Sequence, residues 1–365
     1  LTMEMMKKIA DKHGFYCLLH EKPFAGINGS GKHNNWSICT DDGENLINPG
    51  KAPYENVKFQ LFLTAVIKAV DDYQDLLKIG VSTAGNDHRL GGHEAPPAII
   101  SMYLGRNLSN VVDAIISGTE LEAAQEKAKK KPEDEDRNRT SPFAYTGGKF
   151  EFRMPGSSDN VSCANYILNT AVAESLKQFA DRLEPYMGKA SLQKEMKKLI
   201  REELKAHQRI LFDGNGYSAE WVREAKKRGL LNLKSTPEAF AHFDDEKNVK
   251  LLTSHNILSV EELEARKNIG LSKYSNIINI EANTMLLMTK KDIIPACIKY
   301  SSEVAFGIES KDALGIDVEH EKKLLSEINN RVKALTLNNE ALELVIEKQP
   351  ADDEKRALYD YKKII

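Results

Sequence analysis

A glycine-rich stretch near the start of the chain carries residue types suited to ligand binding. Residues 22–37 read Lys-Pro-Phe-Ala-Gly-Ile-Asn-Gly-Ser-Gly-Lys-His-Asn-Asn-Trp-Ser, so that Asn28 and His33 alternate with glycines. Glycine lets a backbone approach a ligand closely, and asparagine and histidine supply neutral polar groups or a metal ligand. Runs typical of β-strands flank the stretch at 15–20 and 36–39. The pattern predicts a strand–loop–strand unit that holds a small charged ligand.

Two other interpretations of this stretch are open. Gly26 to Lys32 fits the spacing G-x-x-x-x-G-K of a nucleotide-binding loop, which requires Ser or Thr at the next position and then a helix. His33 stands at that position, and the residues after it have low helix propensity. A hairpin loop with a chance histidine is the simplest alternative.

A second polar segment, residues 82–97, presents Arg89 and Glu94. Two prolines end it, and the apolar run 98–104 follows. Since proline suits the first turn of a helix, the run is predicted to be helical, with the loop acting as a gate or clamp ahead of it. A solvated loop is the alternative.

A third segment, residues 149–154, alternates polar and apolar residues with the period of a β-strand. Lys149, Glu151 and Arg153 share one face, and the apolar residues at 150, 152 and 154 share the other, which is predicted to be core. Such a charged face is usually solvated. If it faces a cavity, it supplies a metal-binding carboxylate between two cations that can bind anions.

Helices are predicted to position these segments. Helical spacing or a capping signal occurs over 57–78, 160–183, 190–209 and 219–227 and after Ser259. A heptad near 317–348 with Asn339 at a core position predicts an antiparallel hairpin within the chain, or else a subunit contact. Residues 119–136 are typical of an exposed charged helix.

Composition argues against several classes of protein. The 365 residues carry a net charge of -3 and show no basic face, so nucleic-acid binding is not indicated. The four cysteines lack the spacing of a zinc ribbon or a disulfide framework. There is no apolar run of membrane-spanning length and no signal peptide, so no membrane association and a cytoplasmic location are expected. The chain opens within a helix-like pattern, as expected of a chain cut inside a domain.

Taken in order, three motifs resemble the second half of the glutamine synthetase catalytic domain. They are Asn28 to His33, Arg89 with Glu94, and Asn138-Arg139 with Glu151 to Arg153. Residues 138–144 and 149–153, with the long helical tail, are similar to the type III enzymes. The resemblance is strong over 15–180 and looser beyond.

The resemblance implies an α+β fold in which antiparallel active-site strands pack with helices. It places a partial catalytic domain at 1–210. The rest of the catalytic region and a mainly helical type III extension would occupy 211–365.

The resemblance also implies a set of ligand contacts. His33 and Glu151 would bind an active-site Mg²⁺ or Mn²⁺. The other implied roles are glutamate binding by Asn28, Gly29, Arg89 and Arg153, ATP binding by Asn35, Ser37, Arg139 and Lys149, and catalysis by Glu94, Arg139 and Arg153. In these roles Arg139 neutralises charge on the γ-phosphate, and Glu94 belongs to a flap that closes the site and helps to take a proton from ammonium.

The implied activity is ATP-dependent ligation of glutamate and ammonia through γ-glutamyl phosphate, with ATP as co-substrate. A ring-shaped homo-oligomer, a dodecamer by family resemblance, is implied as well. Two alternatives are a related ligase that uses an amine or polyamine and a non-catalytic scaffold that retains the fold. The first is tested by competition between ammonium and amines, and the intact motifs argue against the second.

Two positions depart from the family pattern. Ala144 stands where other classes have a second arginine, five residues beyond Arg139, so one phosphate contact is lost or supplied elsewhere. Asn35 stands where many relatives have histidine. The family's other metal-binding glutamates come from sequence ahead of the matched segments. The chain by itself is therefore expected to be inactive.

Overall fold

The computed structural model of this chain describes residues 1–92, 95, 97–119 and 141–365. They fall into two compact units, Leu1–Lys267 and Asn268–Ile365. The domain boundary expected at 210/211 stays a prediction. Glu94, Asn138 and Arg139 lie outside the described residues, as does nearly all of the charged run at 119–136.

The first unit combines helices with short strands. Its helices are α1 (Thr2–Lys12), α2 (Val57–Asp72), α3 (Gln74–Ile79), α4 (Ala84–Arg89), α5 (Arg106–Ser117), α6 (Ser162–Leu183), α7 (Leu192–His207), α8 (Ala219–Lys227), α9 (Thr236–Phe240), α10 (Glu246–Ser254) and the start of α11 (Val260–Met288). Its strands are β1 (Asn34–Trp36), β2 (Met102–Tyr103), β3 (Phe143–Tyr145) and β4 (Phe150–Phe152). Short 3-10 turns, Glu184–Tyr186 and Gln208–Ile210, follow α6 and α7.

The strands form one sheet in the order β1-β4-β3-β2. β4 is antiparallel to both β1 and β3, whereas β2 is parallel to β3. The register places Asn35, Glu151 and Ala144 side by side across the sheet. Because residues paired across strands point to the same face, these side chains lie on the face opposite the aromatic residues of β3 and β4.

The aromatic face of the sheet is the core, as the alternation at 149–154 predicts. Phe143, Phe150 and Phe152 are each 0% exposed, and the ring of Phe143 lies 5.1 Å and 5.6 Å from the other two. A second cluster packs α2 against α6 and α7 around Phe179 and Leu199. The expected α+β architecture, strands packed with helices and followed by a helical region, is confirmed, but the sheet is mixed because β2 is parallel to β3.

The helices expected from apolar spacing are present, with shifted ends. The one predicted over 57–78 is interrupted at Tyr73, whose φ of -120° and ψ of 35° divide it into α2 and α3. The capping box at Ser259 is also present. Ser259 N donates to Glu262 Oε2 at 2.9 Å, and Glu262 N donates to Ser259 Oγ at 3.2 Å, just where α11 begins.

The strand expected at 15–20 is absent. Phe15 and Tyr16 are 71% and 93% exposed, and none of the described strands pairs with this run. An extended segment becomes a strand only when its backbone groups find a neighbouring strand. The strand expected at 36–39 is β1, which lies slightly earlier in the chain and ends at Trp36.

The apolar run 98–104 is not the helix that its prolines suggest. It contains β2, in which Met102 pairs with Phe143 on one side and forms a bridge with Leu211 on the other. Strand partners on both sides override the local helix signal. Part of the segment 82–97, expected to be a loop, is instead helix α4, and Thr83 caps its first turn.

The second unit is helical in its described residues. After the end of α11 it contains a π-helical turn (Thr289–Ile293), α12 (Ile294–Asp312), α13 (Glu319–Glu347), α14 (Asp353–Tyr359) and a second π-helical turn (Asp360–Ile364). Helices α12 and α13 form an antiparallel hairpin. Ion pairs lie at both ends of the hairpin. Lys311 pairs with Glu321 at 2.8 Å, and Lys290, in the π-helical turn before α12, pairs with Glu343 at 2.7 Å.

Helix α13 covers the segment 317–348, in which the heptad is predicted, to within two residues at its start and one at its end. Asn339, at a core position of the heptad, is 6% exposed. The antiparallel partner of α13 is α12, so the predicted hairpin within the chain is present. None of the described helices is long and apolar enough to cross a membrane.

A polar network joins α2 to the end of α7. His207 Nδ1 lies 2.8 Å from Asp71 Oδ2, and its Nε2 lies 3.5 Å from Glu203 Oε2. Arg209 Nε donates to both carboxylate oxygens of Asp71, at 2.9 and 3.0 Å. Burial disfavours the charged imidazolium, but the hydrogen bonds with Asp71 and Glu203 outweigh burial and raise the pKa of His207 to about 9.

This network should make stability depend on pH. The pKa of His207 is raised above its ordinary value of 6.5, so its stabilisation is complete below pH 6.5 and is lost as the pH rises through about 9. The loss should reach roughly 3 kcal/mol, since each pKa unit is worth about 1.36 kcal/mol. Urea unfolding between pH 6 and pH 10 measures it. His207→Gln should remove most of this dependence, whereas His13→Gln, at an exposed histidine, should preserve it.

Candidate active site

Strands β1 and β4 bring together the two metal ligands expected from the sequence. His33 directly precedes β1, and Asn35 in β1 is paired with Glu151 in β4. His33 Nδ1 lies 3.3 Å from Glu151 Oε1, and the two side chains are 51% and 13% exposed. The imidazole of His33 is therefore accessible to solvent, whereas the carboxylate of Glu151 is largely buried.

The second carboxylate oxygen of Glu151 is a hydrogen-bond acceptor without a described donor. Oε2 is buried and has no hydrogen-bond partner among the described residues. A buried polar atom without a partner costs about 1–3 kcal/mol, so such atoms usually have a role. A carboxylate with one oxygen 3.3 Å from an imidazole nitrogen and its other oxygen buried without a described partner suits a divalent cation.

Helix α6 holds β1 in place through two asparagines one turn apart. Asn34 Nδ2 donates to Asn165 Oδ1 at 2.7 Å, and Trp36 Nε1 donates to Asn169 Oδ1 at 2.8 Å. The strand next to His33 is thereby fixed against a rigid element. Sequence reasoning missed these residues, although two asparagines four positions apart in an apolar helix were a usable signal.

Arg89, at the end of α4, is 6% exposed and lies under the glycine-rich loop. Its guanidinium donates to Asn86 Oδ1 at 3.2 Å and to the carbonyl oxygens of residues 153–155 at 3.2 to 3.5 Å. A Cβ on Gly31 would lie 2.2 Å from Arg89 Nη2, so the loop contacts the guanidinium closely. In this conformation Arg89 ties α4 to the end of β4, and its role in substrate binding stays a prediction.

Arg153 lies just beyond β4 and is 6% exposed. Its Nη2 donates to the carbonyl oxygen of Ser141, and its backbone N–H donates to Pro142 O at 2.8 Å. The side chain is thus held against the segment that leads into β3.

Glu21 is a buried carboxylate that sequence reasoning missed. It is 3% exposed, and its Oε1 accepts hydrogen bonds from the N–H, at 2.8 Å, and the hydroxyl of Ser158. A Cβ on Gly85 would lie 2.5 Å from its Oε2, and one on Gly156 would lie 2.9 Å from its Oε1. Glu21 therefore braces the glycine-rich loop against α4 and the segment after β4. No spacing in the sequence points to it, because the glycines that make room for it are distant in the chain.

The remaining expected ligand-binding residues that the structure describes are accessible. Asn28, Asn35, Ser37 and Lys149 are exposed and Gly29 is partly buried. Asn35 makes a long hydrogen bond, 3.5 Å, to the carbonyl oxygen of His33, which leaves most of its amide to solvent. The structure thus brings His33, Asn35 and Glu151 together, and it places Arg89 and Arg153 side by side at the end of β4.

Two other groups of described side chains could hold a metal ion. They are Asp71, Asp72 and His207, and Asp75, His242 and Asp245. Arg209 already bonds to Asp71 at 2.9 Å, and Lys247 bonds to Asp75 at 2.9 Å. Because a cationic side chain neutralises the central carboxylate in each group, both are ion-pair networks.

Two family models match the chain. The model of the glutamine synthetase catalytic domain matches residues 1–109, and that of the glutamine synthetase C-terminal domain matches residues 195–312.

Curated relatives match over most of the chain. A type-3 glutamine synthetase of Dictyostelium discoideum is 45% identical over 356 residues, which are 95% of this chain and 48% of that protein. A glutamine synthetase of Butyrivibrio fibrisolvens is 46% identical over 86% of this chain and 46% of its own length. One of Bacteroides fragilis is 40% identical over 92% of this chain and 49% of its own length. The chain thus spans about half the length of these relatives.

A solved structure titled "Apo GmaS without ligand" covers 62% of this chain and 46% of its own, with 19% identity and a TM-score of 0.32. This likeness is too distant to bear on the fold.

Proposed function

This chain belongs to the glutamine synthetase family, and we propose that it carries part of the active site of a type III, ATP-dependent glutamate–ammonia ligase. The observation that supports this most directly is the pair His33 and Glu151, 3.3 Å apart with Glu151 Oε2 buried and without a described partner. The pair forms only when β1 and β4 align, although the two residues are far apart in the sequence.

The donor set fits a divalent cation. His33 Nδ1 and Glu151 would bind Mg²⁺ or Mn²⁺, and the imidazole makes Mn²⁺ well tolerated. When bound, the cation supplies positive charge that offsets the repulsion between phosphate and carboxylate groups.

Glutamate is proposed to bind through Asn28, Gly29, Arg89 and Arg153. A guanidinium presents parallel N–H donors that match a carboxylate. The bonds from Arg89 to Arg153 O and Pro155 O are 3.4 and 3.5 Å long, near the limit for a hydrogen bond, so a substrate oxygen can compete for these N–H donors without displacement of the guanidinium.

ATP is proposed to bind along the exposed edge formed by Asn35, Ser37 and Lys149, with Arg139 neutralising charge on the γ-phosphate. The γ-carboxylate of glutamate attacks that phosphorus, which releases ADP and forms γ-glutamyl phosphate. Ammonia then attacks the acyl carbon and expels phosphate, which yields glutamine. Glu94 is proposed to accept the proton of ammonium and to close the site against water.

The resemblance also supports assembly into a ring-shaped homo-oligomer, a dodecamer as in the family. Gel filtration with light scattering on the full-length protein measures the size of the assembly.

The direct test is the activity of the full-length protein. We expect glutamine and ADP to form in equal amounts from glutamate, ammonium and ATP, and only with Mg²⁺ or Mn²⁺ present. Preference for an amine or polyamine over ammonium would assign the related ligase instead. The absence of any γ-glutamyl transfer would refute the proposal.

The 365 residues by themselves should bind Mn²⁺ weakly and make no glutamine. The described residues bring two ligands to the site, and one of them, His33, is 51% exposed, whereas hard cations prefer about six ligands. Calorimetry with Mn²⁺ and then ATP, beside the full-length protein, measures the difference. Tight binding of both by the 365 residues alone would show that the site is more complete than proposed.

A further inference from the structure

A buried chain of hydrogen bonds leads from Arg153 to residues far along the sequence. Arg89 donates to the carbonyl oxygen of Arg153 at 3.4 Å, and Arg153 Nη2 in turn donates to the carbonyl oxygen of Ser141. Arg89 and Arg153 are each 6% exposed, and Ser141 is 2% exposed. The position of the Arg153 guanidinium therefore depends on the position of the Ser141 peptide group.

The side chain of Ser141 is fixed from two sides. Its hydroxyl accepts a hydrogen bond from Ser101 Oγ at 2.8 Å and donates one to Phe212 O at 3.2 Å. Ser101 is 0% exposed, so water does not substitute for these bonds. The hydroxyl acts on Arg153 through the Ser141 peptide group, whose carbonyl oxygen accepts from Arg153 Nη2.

Phe212 is itself firmly held. Its ring stacks on Trp221 of α8 at 3.7 Å, and a Cβ on Gly214 would lie 2.9 Å from the ring. Its N–H donates to Met102 O at 2.9 Å, and Arg228 donates to the carbonyl oxygen of the preceding residue at 2.7 Å. Phe212 O is thus a fixed acceptor, which cannot follow Ser141 if that residue shifts.

We propose that Ser141 is a positioning residue for Arg153, and that Phe212, clamped by α8, sets the position of Ser141. This inference rests on the proposed function, in which Arg153 binds the carboxylate of glutamate. Because paired hydrogen bonds to a carboxylate lose strength when they are displaced by fractions of an ångström, the segment 211–228 tunes glutamate binding through Ser141 and Arg153.

The first test is Ser141→Ala in the full-length protein. The KM for glutamate should rise about three- to tenfold, while kcat and the KM for ATP stay within about twofold, since one buried hydroxyl with two bonds is lost. Ser141→Thr, which keeps the hydroxyl, should restore most of the glutamate affinity. The matched control is Ser175→Ala. Ser175 is also buried, at 1% exposure, but its hydroxyl bonds to Ala171 O at 3.2 Å within α6. The KM of the Ser175→Ala variant for glutamate should therefore be unchanged.

The second test links Ser141 to α8. Trp221→Leu should raise the KM for glutamate in the same direction, and the double variant with Ser141→Ala should be no worse than the more affected single variant. Such non-additivity is expected when two residues act through one path. Additive effects would overturn the role of Phe212.

Two results would overturn the role of Ser141. One is an unchanged KM for glutamate in Ser141→Ala, and the other is an equal rise for ATP and glutamate, which indicates general loosening. A wild-type protein that makes no glutamine would refute the proposed function instead, so the two failures are distinguishable.

Discussion

Glu151→Gln in the full-length protein should lower the rate of glutamine formation by about a thousandfold. Gln keeps the size of the side chain and the packing of β4, but it removes the negative charge that is proposed to bind the cation. A thousandfold loss corresponds to about 4 kcal/mol of transition-state stabilisation, a reasonable share for a metal that offsets charge in phosphoryl transfer. The rate of glutamine formation at saturating Mn²⁺ measures the loss, and calorimetry measures the weakened binding of Mn²⁺.

Glu44→Gln is the matched control for this substitution. Glu44 pairs with Lys58, and both side chains are 52% exposed, so its loss should change the rate less than about twofold. If Glu151→Gln keeps more than a tenth of the activity with unchanged Mn²⁺ affinity, Glu151 is not a metal ligand.

Gly31→Ala should destabilise the first unit and impair the site together. The added Cβ would lie 2.2 Å from Arg89 Nη2 and 2.4 Å from its Cζ. Arg89 is buried and bonds to one side chain and three carbonyl oxygens, so it has little freedom to move away. Overpacking of this kind costs about 1–3 kcal/mol. Since His33 follows Gly31 closely, we expect glutamine formation to fall at least about tenfold, which an activity assay beside urea unfolding measures.

The control for Gly31→Ala is Gly307→Ala. Gly307 lies in α12, and beyond the helix's own backbone no atom of the described residues lies within 4 Å of an added Cβ, so alanine there should stabilise the helix by about 0.5–1 kcal/mol. Wild-type stability and activity in Gly31→Ala would show that the guanidinium of Arg89 does not lie under the loop in solution.

Local patterns were sufficient for several of the helices and for the strand that carries Glu151. The apolar spacing in 160–183 and 219–227 predicts α6 and α8 because an amphipathic helix must bury one stripe. Alternation at 149–154 predicts which side of β4 is core, since successive strand residues point to opposite faces. Two local predictions are wrong. The strand expected at 15–20 has no partner strand among those described, and the run 98–104, expected to be a helix, contains β2 because strand partners are available to it.

The sequence by itself determined the family and the residue types of the candidate site, because motifs such as Asn28 to His33 are short and local. Tertiary structure alone decided which of them meet. The pairing of β1 with β4 places His33 3.3 Å from Glu151. Phe212 O accepts a hydrogen bond from the hydroxyl of Ser141, whose carbonyl oxygen in turn accepts one from Arg153. These contacts join residues far apart in the chain, so no local pattern encodes them. They exist because backbone partners and buried polar groups must be satisfied once the sheet and its helices pack.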